Sequence, residues 1–253
     1  MINVILLGAG NVATHLFRAF RECKNVNLIQ VYNHKAGKLK DFQREVATTT
    51  DLSKLKTADF YVLALKDDAI NEVAEGLHIE SGVVLHTSGG KDMKLLSRFQ
   101  EHGVFYPLQT FSKNRNLNFR EIPICLEASS PKVLGRVRKL AVNISDNIYE
   151  IDSESRRRMH VAAVFANNFT NHLYELSSEI CEENGIEFDI LKPLIRETAS
   201  KIESLSPKEA QTGPAIRNDQ HTIQTHLDLL NEDQQKIYKT LTSSIQKTYG
   251  KKL

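Results

Sequence analysis

The chain has 253 residues, 41% hydrophobic and 25% charged, an ordinary globular composition that allows one large domain or two of moderate size around packed cores. Its 33 lysines and arginines against 31 aspartates and glutamates leave a formal charge of +2, which gives no support to a nucleic-acid or membrane partner. The three cysteines, Cys23, Cys125 and Cys181, are odd in number and lack CxxC or Cys/His spacing, so neither a disulfide framework nor a metal site is indicated, and a reducing cytoplasm fits best.

The apolar run Ile2–Leu7 has no basic flank and meets glycines after about six residues, so it predicts a strand and not a signal peptide. No stretch approaches the roughly 20 apolar residues of a membrane span. After the strand comes Gly8-Ala9-Gly10-Asn11-Val12-Ala13, a GxGxxA turn opening a helix that carries Val12, Leu16, Phe17 and Phe20 on one face. Such glycines let the backbone turn tightly and approach a pyrophosphate held at a helix N-terminus, which makes Gly8, Gly10, Asn11 and Val12 candidate dinucleotide contacts.

A second strand over Leu28–Tyr32 ends in Asn33-His34-Lys35. An acidic residue at this place bonds the ribose 2′-hydroxyl of NAD. Its replacement by an amide, an imidazole and a cation predicts NADP(H), because these groups accommodate a 2′-phosphate that a carboxylate would repel. A solvated polar loop accounts for the same three residues.

Further strands are expected over Phe60–Ala64, Val83–His86, Val104–Tyr106, Ile122–Leu126 and Asn147–Ile151. Most are apolar without alternation, as in a parallel sheet covered by helices on both faces. Residues 1–151 are therefore predicted to form an α/β Rossmann domain. Ligands of such sheets bind beyond the carboxyl ends of the strands. That places Leu65 and Lys66 beside the adenosine or pyrophosphate, and His86, Thr87 and Ser88 where they can orient a nicotinamide amide or a carbonyl. A helix-capping turn and a hydroxyl-stabilised loop are the plain alternatives. Gln109 and Thr110, after Pro107, are weaker candidates of the same kind.

After Asp152 the strand-like runs cease and a 3.6-residue period takes over, which predicts an all-α domain over residues 152–253. One long helix should run from about Glu154 to Glu183, ending at Gly185, and another from near Asp189 to Leu205. Ser206-Pro207-Lys208-Glu209 predicts a capping box, and helices should follow over Asp219–Leu230 and Glu232–Tyr249. His160, Asn167 and Asn168 interrupt the apolar long helix, and seven- and eight-residue spacings place them near one face. His160 is a candidate proton donor, a packed histidine being the alternative. Arg217 is a further candidate, its planar fork suited to a carboxylate or phosphate, while Asp219 is expected to cap a helix and His226 to pack.

Several segments together resemble a known family: the GAGNVA turn, Ala64-Leu65-Lys66-Asp67-Asp68, His86-Thr87-Ser88-Gly89-Gly90, Pro107-Leu108-Gln109-Thr110-Phe111, the run Ala162–Phe169 and the run Thr212–Asp219. The chain resembles the Rossmann-like oxidoreductases with an uncharacterised helical C-terminal domain, relatives of pyrroline-5-carboxylate reductase and the 6-phosphogluconate dehydrogenase-like superfamily. That resemblance implies an NADP-type domain, a C-terminal domain of the 6-phosphogluconate dehydrogenase type that often mediates dimerisation, and a cleft between them. Thr212-Gly213-Pro214 loosely resembles the Thr/Ser-Pro-Gly segment that meets substrate in pyrroline-5-carboxylate reductases. Where the family commonly has histidine before Pro-Leu-Gln-Thr-Phe, this chain has Tyr106. The lysine of β-hydroxyacid dehydrogenases, four residues before an asparagine, is here Val164.

The expectation is an NADPH-dependent reductase of a small carbonyl or imine compound. Its catalytic candidates are His86, His160, Asn168 and Thr212, with the proton coming from His86, His160 or water, and a homodimer forming through the helical domain. A non-catalytic NADP-binding regulator and a dimeric adapter are the rivals.

Overall fold

The computed structural model describes residues Met1–Tyr249; residues 250–253, the end of the predicted helical domain, lie outside the described residues. In chain order the strands are β1 (Ile2–Leu7), β2 (Val26–Tyr32), β3 (Ala47–Thr49), β4 (Phe60–Leu63), β5 (Val83–His86), β6 (His102–Pro107), β7 (Ile124–Ala128) and β8 (Ile148–Glu150). They form one sheet in the order β3-β2-β1-β4-β5-β6-β7-β8. All neighbouring pairs are parallel except β6 with β7. β3 is the strand that sequence periodicity does not reveal: it is three residues long, Ala47-Thr48-Thr49, and at the sheet edge.

Successive side chains of a strand point to opposite faces, and both faces here are apolar. From β1, Val4 and Leu6 join a core with Leu16, Phe17 and Phe20 of helix α1 (Asn11–Arg21) and Val133, Val137 and Leu140 of α3 (Pro131–Ala141). Ile5 and Leu7 join the opposite core, with Ile70 and Ala74 of α2 (Asp67–Gly76) and with Leu96 and Phe99. Covering both faces makes most positions of the central strands apolar, so their sequences do not alternate. Full burial of each such side chain contributes roughly 1.5–3 kcal/mol.

The chain divides into two compact units, Met1–Asn167 and a second from Asn168 onward. The first includes the sheet and α4 (Ser153–Ala163), which starts at the Asp152 cap. The expected long helix is present as α4, a π-helical turn over Val164–Phe169 and α5 (Thr170–Glu183). The second unit continues with α6 (Lys192–Lys201), α7 (Pro207–Ala210), α8 (Gln220–Asp228) and α9 (Glu232–Tyr249). Gly185 ends α5 at φ +65°, and Ser206 with Glu209 forms the predicted capping box.

Candidate active site at the carboxyl edge of the sheet

β1 lies between β2 and β4, where successive connections leave in opposite directions. Ligands of open α/β sheets bind in this crevice, beyond the carboxyl ends of the strands. The turn after β1 occupies it. Gly8 has φ +128°, and a Cβ there would lie 2.1 Å from the Ala64 carbonyl oxygen at the end of β4. Its backbone N–H donates to the Tyr32 carbonyl at the end of β2, 2.8 Å away. Gly8 is thus a glycine that the protein itself requires.

Gly10 is different. Its φ is −83°, open to any residue, and nothing lies within 4 Å of where its Cβ would be. It precedes α1, whose N-terminus has no side-chain cap, while Ser130, Asp152, Ser206 and Asp219 cap α3, α4, α7 and α8. Free amide N–H groups and the positive end of a helix dipole favour an anion. These features fit a pyrophosphate passing over Gly10. The Asn11 side chain donates to the Phe111 carbonyl at 2.7 Å, and His15 Nε2 meets the Ser112 carbonyl at 2.9 Å. The side chains of α1 thereby tether the loop after β6. Val12 is half-buried and packs against the core.

At the end of β2, Asn33 is buried and its Oδ1 accepts from the Lys35 amide at 2.9 Å, which leaves its amide nitrogen as the remaining donor. His34 and Lys35 are exposed, as are Lys38 and Lys40 just beyond them. Leu65 leans on the glycine turn, with Cδ2 3.4 Å from the position of a Gly8 Cβ. Lys66 is exposed and precedes α2 without a capping side-chain bond.

The second half of the site gathers around the ends of β5 and β6. His86 is fully buried, its Nδ1 accepts from the Ser88 amide at 3.2 Å, and its Nε2 has no hydrogen-bond partner. Burial first, and then the Arg156 charge, depress its pKa to about 4, so at neutral pH it is an uncharged imidazole. Ser88 Oγ accepts from the Gly90 and Lys91 amides at 3.1 and 3.0 Å. That is the hydroxyl-stabilised loop anticipated as an alternative.

Over this loop, Tyr106 at the end of β6 meets His160 of α4, with Oη 3.1 Å from Nδ1. Gly89 seals the contact from the β5 side: a Cβ there would lie 2.7 Å from His160 Nδ1 and 2.7 Å from Tyr106 Cζ. Burial pushes the Tyr106 phenol up to about 12. One turn before His160 on α4, Arg156 is fully buried. It pairs with Glu127 of β7 and donates to the Lys91 carbonyl at 2.6 Å and to Ser153 Oγ at 3.1 Å. Arg156 thus ties α4 to both the sheet and the β5 loop.

Residues 3–86 match the family model described as NADP oxidoreductase coenzyme F420-dependent, and residues 122–245 match a domain of unknown function, DUF2520. A Bacteroides fragilis protein provisionally described as an NADP oxidoreductase is 39% identical over 97% of this chain and 98% of its own, with a TM-score of 0.88. The chain belongs to this NADP oxidoreductase family.

Two distant structures share the oxidoreductase's fold. Streptococcus pyogenes 1-pyrroline-5-carboxylate reductase is 17% identical, with a TM-score of 0.66 over 98% of this chain and 96% of its own. A reductive aminase from Aspergillus terreus, in complex with NADPH and ethyl levulinate, is 13% identical, with a TM-score of 0.72 over 99% and 95%. No curated protein matches the chain. No helix among the described residues is long and apolar enough to cross a membrane.

In the oxidoreductase the structure brings Gly8, Gly10, Asn11, Val12, Asn33, His34, Lys35, Leu65, Lys66, His86, Ser88 and His160 into the first unit; Asn168 and Thr212 belong to the second. The π-helical winding over Val164–Phe169 replaces the regular 3.6-residue spacing between His160 and Asn168 with a wider turn. Tyr106 and Arg156 are the site residues that sequence patterns alone leave unassigned. Arg156 had one available signal: with Ser153 and His160 it shares a helix face at three- and four-residue spacing.

Proposed function

We propose that the oxidoreductase binds NADP(H) across the Gly8–Val12 turn and reduces a small carbonyl or imine compound at the carboxyl edge of β5 and β6. The observation that carries this reading is Gly10, whose missing side chain no neighbour in the protein explains and which stands at an uncapped helix N-terminus beside the switch point of the sheet. When bound, NADPH supplies a hydride. Gly8, Gly10 and the backbone amides of Asn11 and Val12 hold the pyrophosphate. Asn33, His34 and Lys35 receive the 2′-phosphate, with Lys38 and Lys40 adding positive charge. Leu65 and Lys66 flank the dinucleotide, and the loop containing His86 and Ser88 shapes the nicotinamide end.

His160 belongs to the reacting end of the site, while Asn168 and Thr212, of the helical part from residue 152 onward, serve the substrate. The similarity to a pyrroline-5-carboxylate reductase and a reductive aminase supports a C=N or C=O substrate class. Exposed Ile190, Leu194, Ile202 and Leu229, with an open apolar cavity of about 530 Å³ in the second unit, support a homodimer formed through that unit, measurable by light scattering as a doubled mass. The cysteines are all unpaired, in keeping with a cytoplasmic setting.

The test is NADPH oxidation followed by absorbance with a panel of small keto acids, ketones and cyclic imines. Turnover with at least one member is the expected result. NADPH binding without turnover across the panel would favour a regulatory protein.

A further inference from the structure

Tyr106 ends β6 on the same side of the sheet as His86. Phe105 and Leu85 lie in the core under α1 and α3, and Val84 lies in the core under α2, so alternation turns both Tyr106 and His86 toward the α2 side. Three separate elements then meet at one hydroxyl: β6 supplies the phenol, α4 supplies His160 Nδ1 at 3.1 Å, and the β5 loop supplies Gly89. The backbone of Gly89 is not in the left-handed region. Its lack of a side chain is explained by the closeness of the Tyr106–His160 pair alone.

We infer that the Tyr106 hydroxyl is the acid that protonates the oxygen or nitrogen of the reduced bond, with His160 as its positioning residue. This rests on the reductase reading above. As the substrate carbon accepts hydride from the reduced dinucleotide, the π electrons of the C=O or C=N bond move onto the heteroatom. The proton of Tyr106 transfers to that atom, and the O–H bonding pair stays behind on the phenolate. His160, as the Nδ1–H tautomer, donates to the phenolate oxygen and stabilises it until a solvent proton restores the phenol.

Three other groups face Tyr106: Cys125, its partner in the β6–β7 ladder, Asp67 of α2 and Arg156 of α4. Burial raises Tyr106 to about 12 and Cys125 to about 11, so both are protonated at neutral pH. A phenol in this state gives up its proton only to a strong base, such as the alkoxide that hydride transfer creates. His86, held uncharged behind the loop, has no imidazolium proton to offer.

The decisive variants are Tyr106→Phe, which deletes only the hydroxyl, and His160→Gln. Each is measured for NADPH affinity, for kcat and KM on a substrate of the wild-type enzyme, and Tyr106→Phe also by 15N NMR of the His160 imidazole in the cofactor-free protein. Expected for Tyr106→Phe are an altered Nδ1 resonance, NADPH affinity and KM within twofold of wild type, and kcat lower by about 10²–10⁴-fold, the usual contribution of a general acid. His160→Gln should lower kcat less while raising the solvent deuterium isotope effect. A Tyr106→Phe enzyme within threefold of wild-type kcat, or an Nδ1 resonance it leaves unmoved, overturns the inference while the reductase reading stands. A wild type that binds NADPH yet reduces no panel member removes that reading and the inference with it.

Discussion

Gly8 and Gly10 stand two residues apart in one turn, yet a methyl group would meet different surroundings at each. At Gly8 it would collide with the Ala64 carbonyl at a φ of +128°, so Gly8→Ala strains the fold itself. At Gly10 it would meet only open space. Gly10→Ala is expected to lower thermal stability by under about 1 kcal/mol, the modest cost of alanine at a helix cap, while weakening NADPH at least tenfold. Unchanged NADPH affinity in a normally stable Gly10→Ala protein would show that the space over Gly10 is not the pyrophosphate path. His86 yields a prediction in pH. The unfolded chain binds a proton near the ordinary 6.5 of histidine, and the folded protein only near 4. Between those values the unfolded state holds more protons, so the stability from a neutral His86 is complete above about pH 6.5 and is lost as pH falls toward 4. The loss is on the order of 3 kcal/mol. A His86→Gln protein should show a shallower fall in Tm between pH 7 and 4.5; an identical slope would contradict the assignment.

Among the secondary-structure elements, α4 couples the site to the fold. Ser153, Arg156 and His160 lie on one face, and Arg156 joins Glu127, the Lys91 carbonyl and Ser153 in a buried network. Removing one partner of a buried ion pair leaves an uncompensated charge, so Arg156→Ala should cost about 3–5 kcal/mol in denaturant unfolding. Pairing Arg156→Met with Glu127→Leu should recover part of that; a loss under about 1 kcal/mol for Arg156→Ala would mean the network is not structural. The elements also mark where sequence is legible. The central strands are readable because burial on both faces makes them continuous apolar runs, and the glycine turn because backbone chemistry demands glycine at a fixed offset. β3 is not, since three edge residues, an alanine and two threonines, are too few to carry a periodicity. The π-helical turn is hidden because Val161, Phe165 and Phe169 keep an apolar rhythm that a regular helix would also show. The Tyr106–His160 pair is beyond reach for another reason: the two residues are 54 positions apart, and nothing local in either segment encodes the meeting.

For the whole molecule, the near-balanced net charge of +2 means that affinity for a phosphorylated cofactor has to come from local placement and not from a global field. That placement is specific. The glycine turn and the Asn33-His34-Lys35 loop are joined by the Gly8 to Tyr32 hydrogen bond, so the proposed pyrophosphate and 2′-phosphate sites stand on adjacent strand ends. The proposed reacting half, with Tyr106, Gly89 and His160, lies farther along the same carboxyl edge. Equilibrium titration of the wild-type protein with NADPH and with NADH, repeated on Lys35→Glu, measures this arrangement directly. NADPH should bind at least tenfold more tightly than NADH to the wild type, and Lys35→Glu should weaken NADPH far more than NADH. NADH binding as tightly as NADPH, or equal losses for both cofactors in Lys35→Glu, would contradict the assignment of this edge to NADP(H).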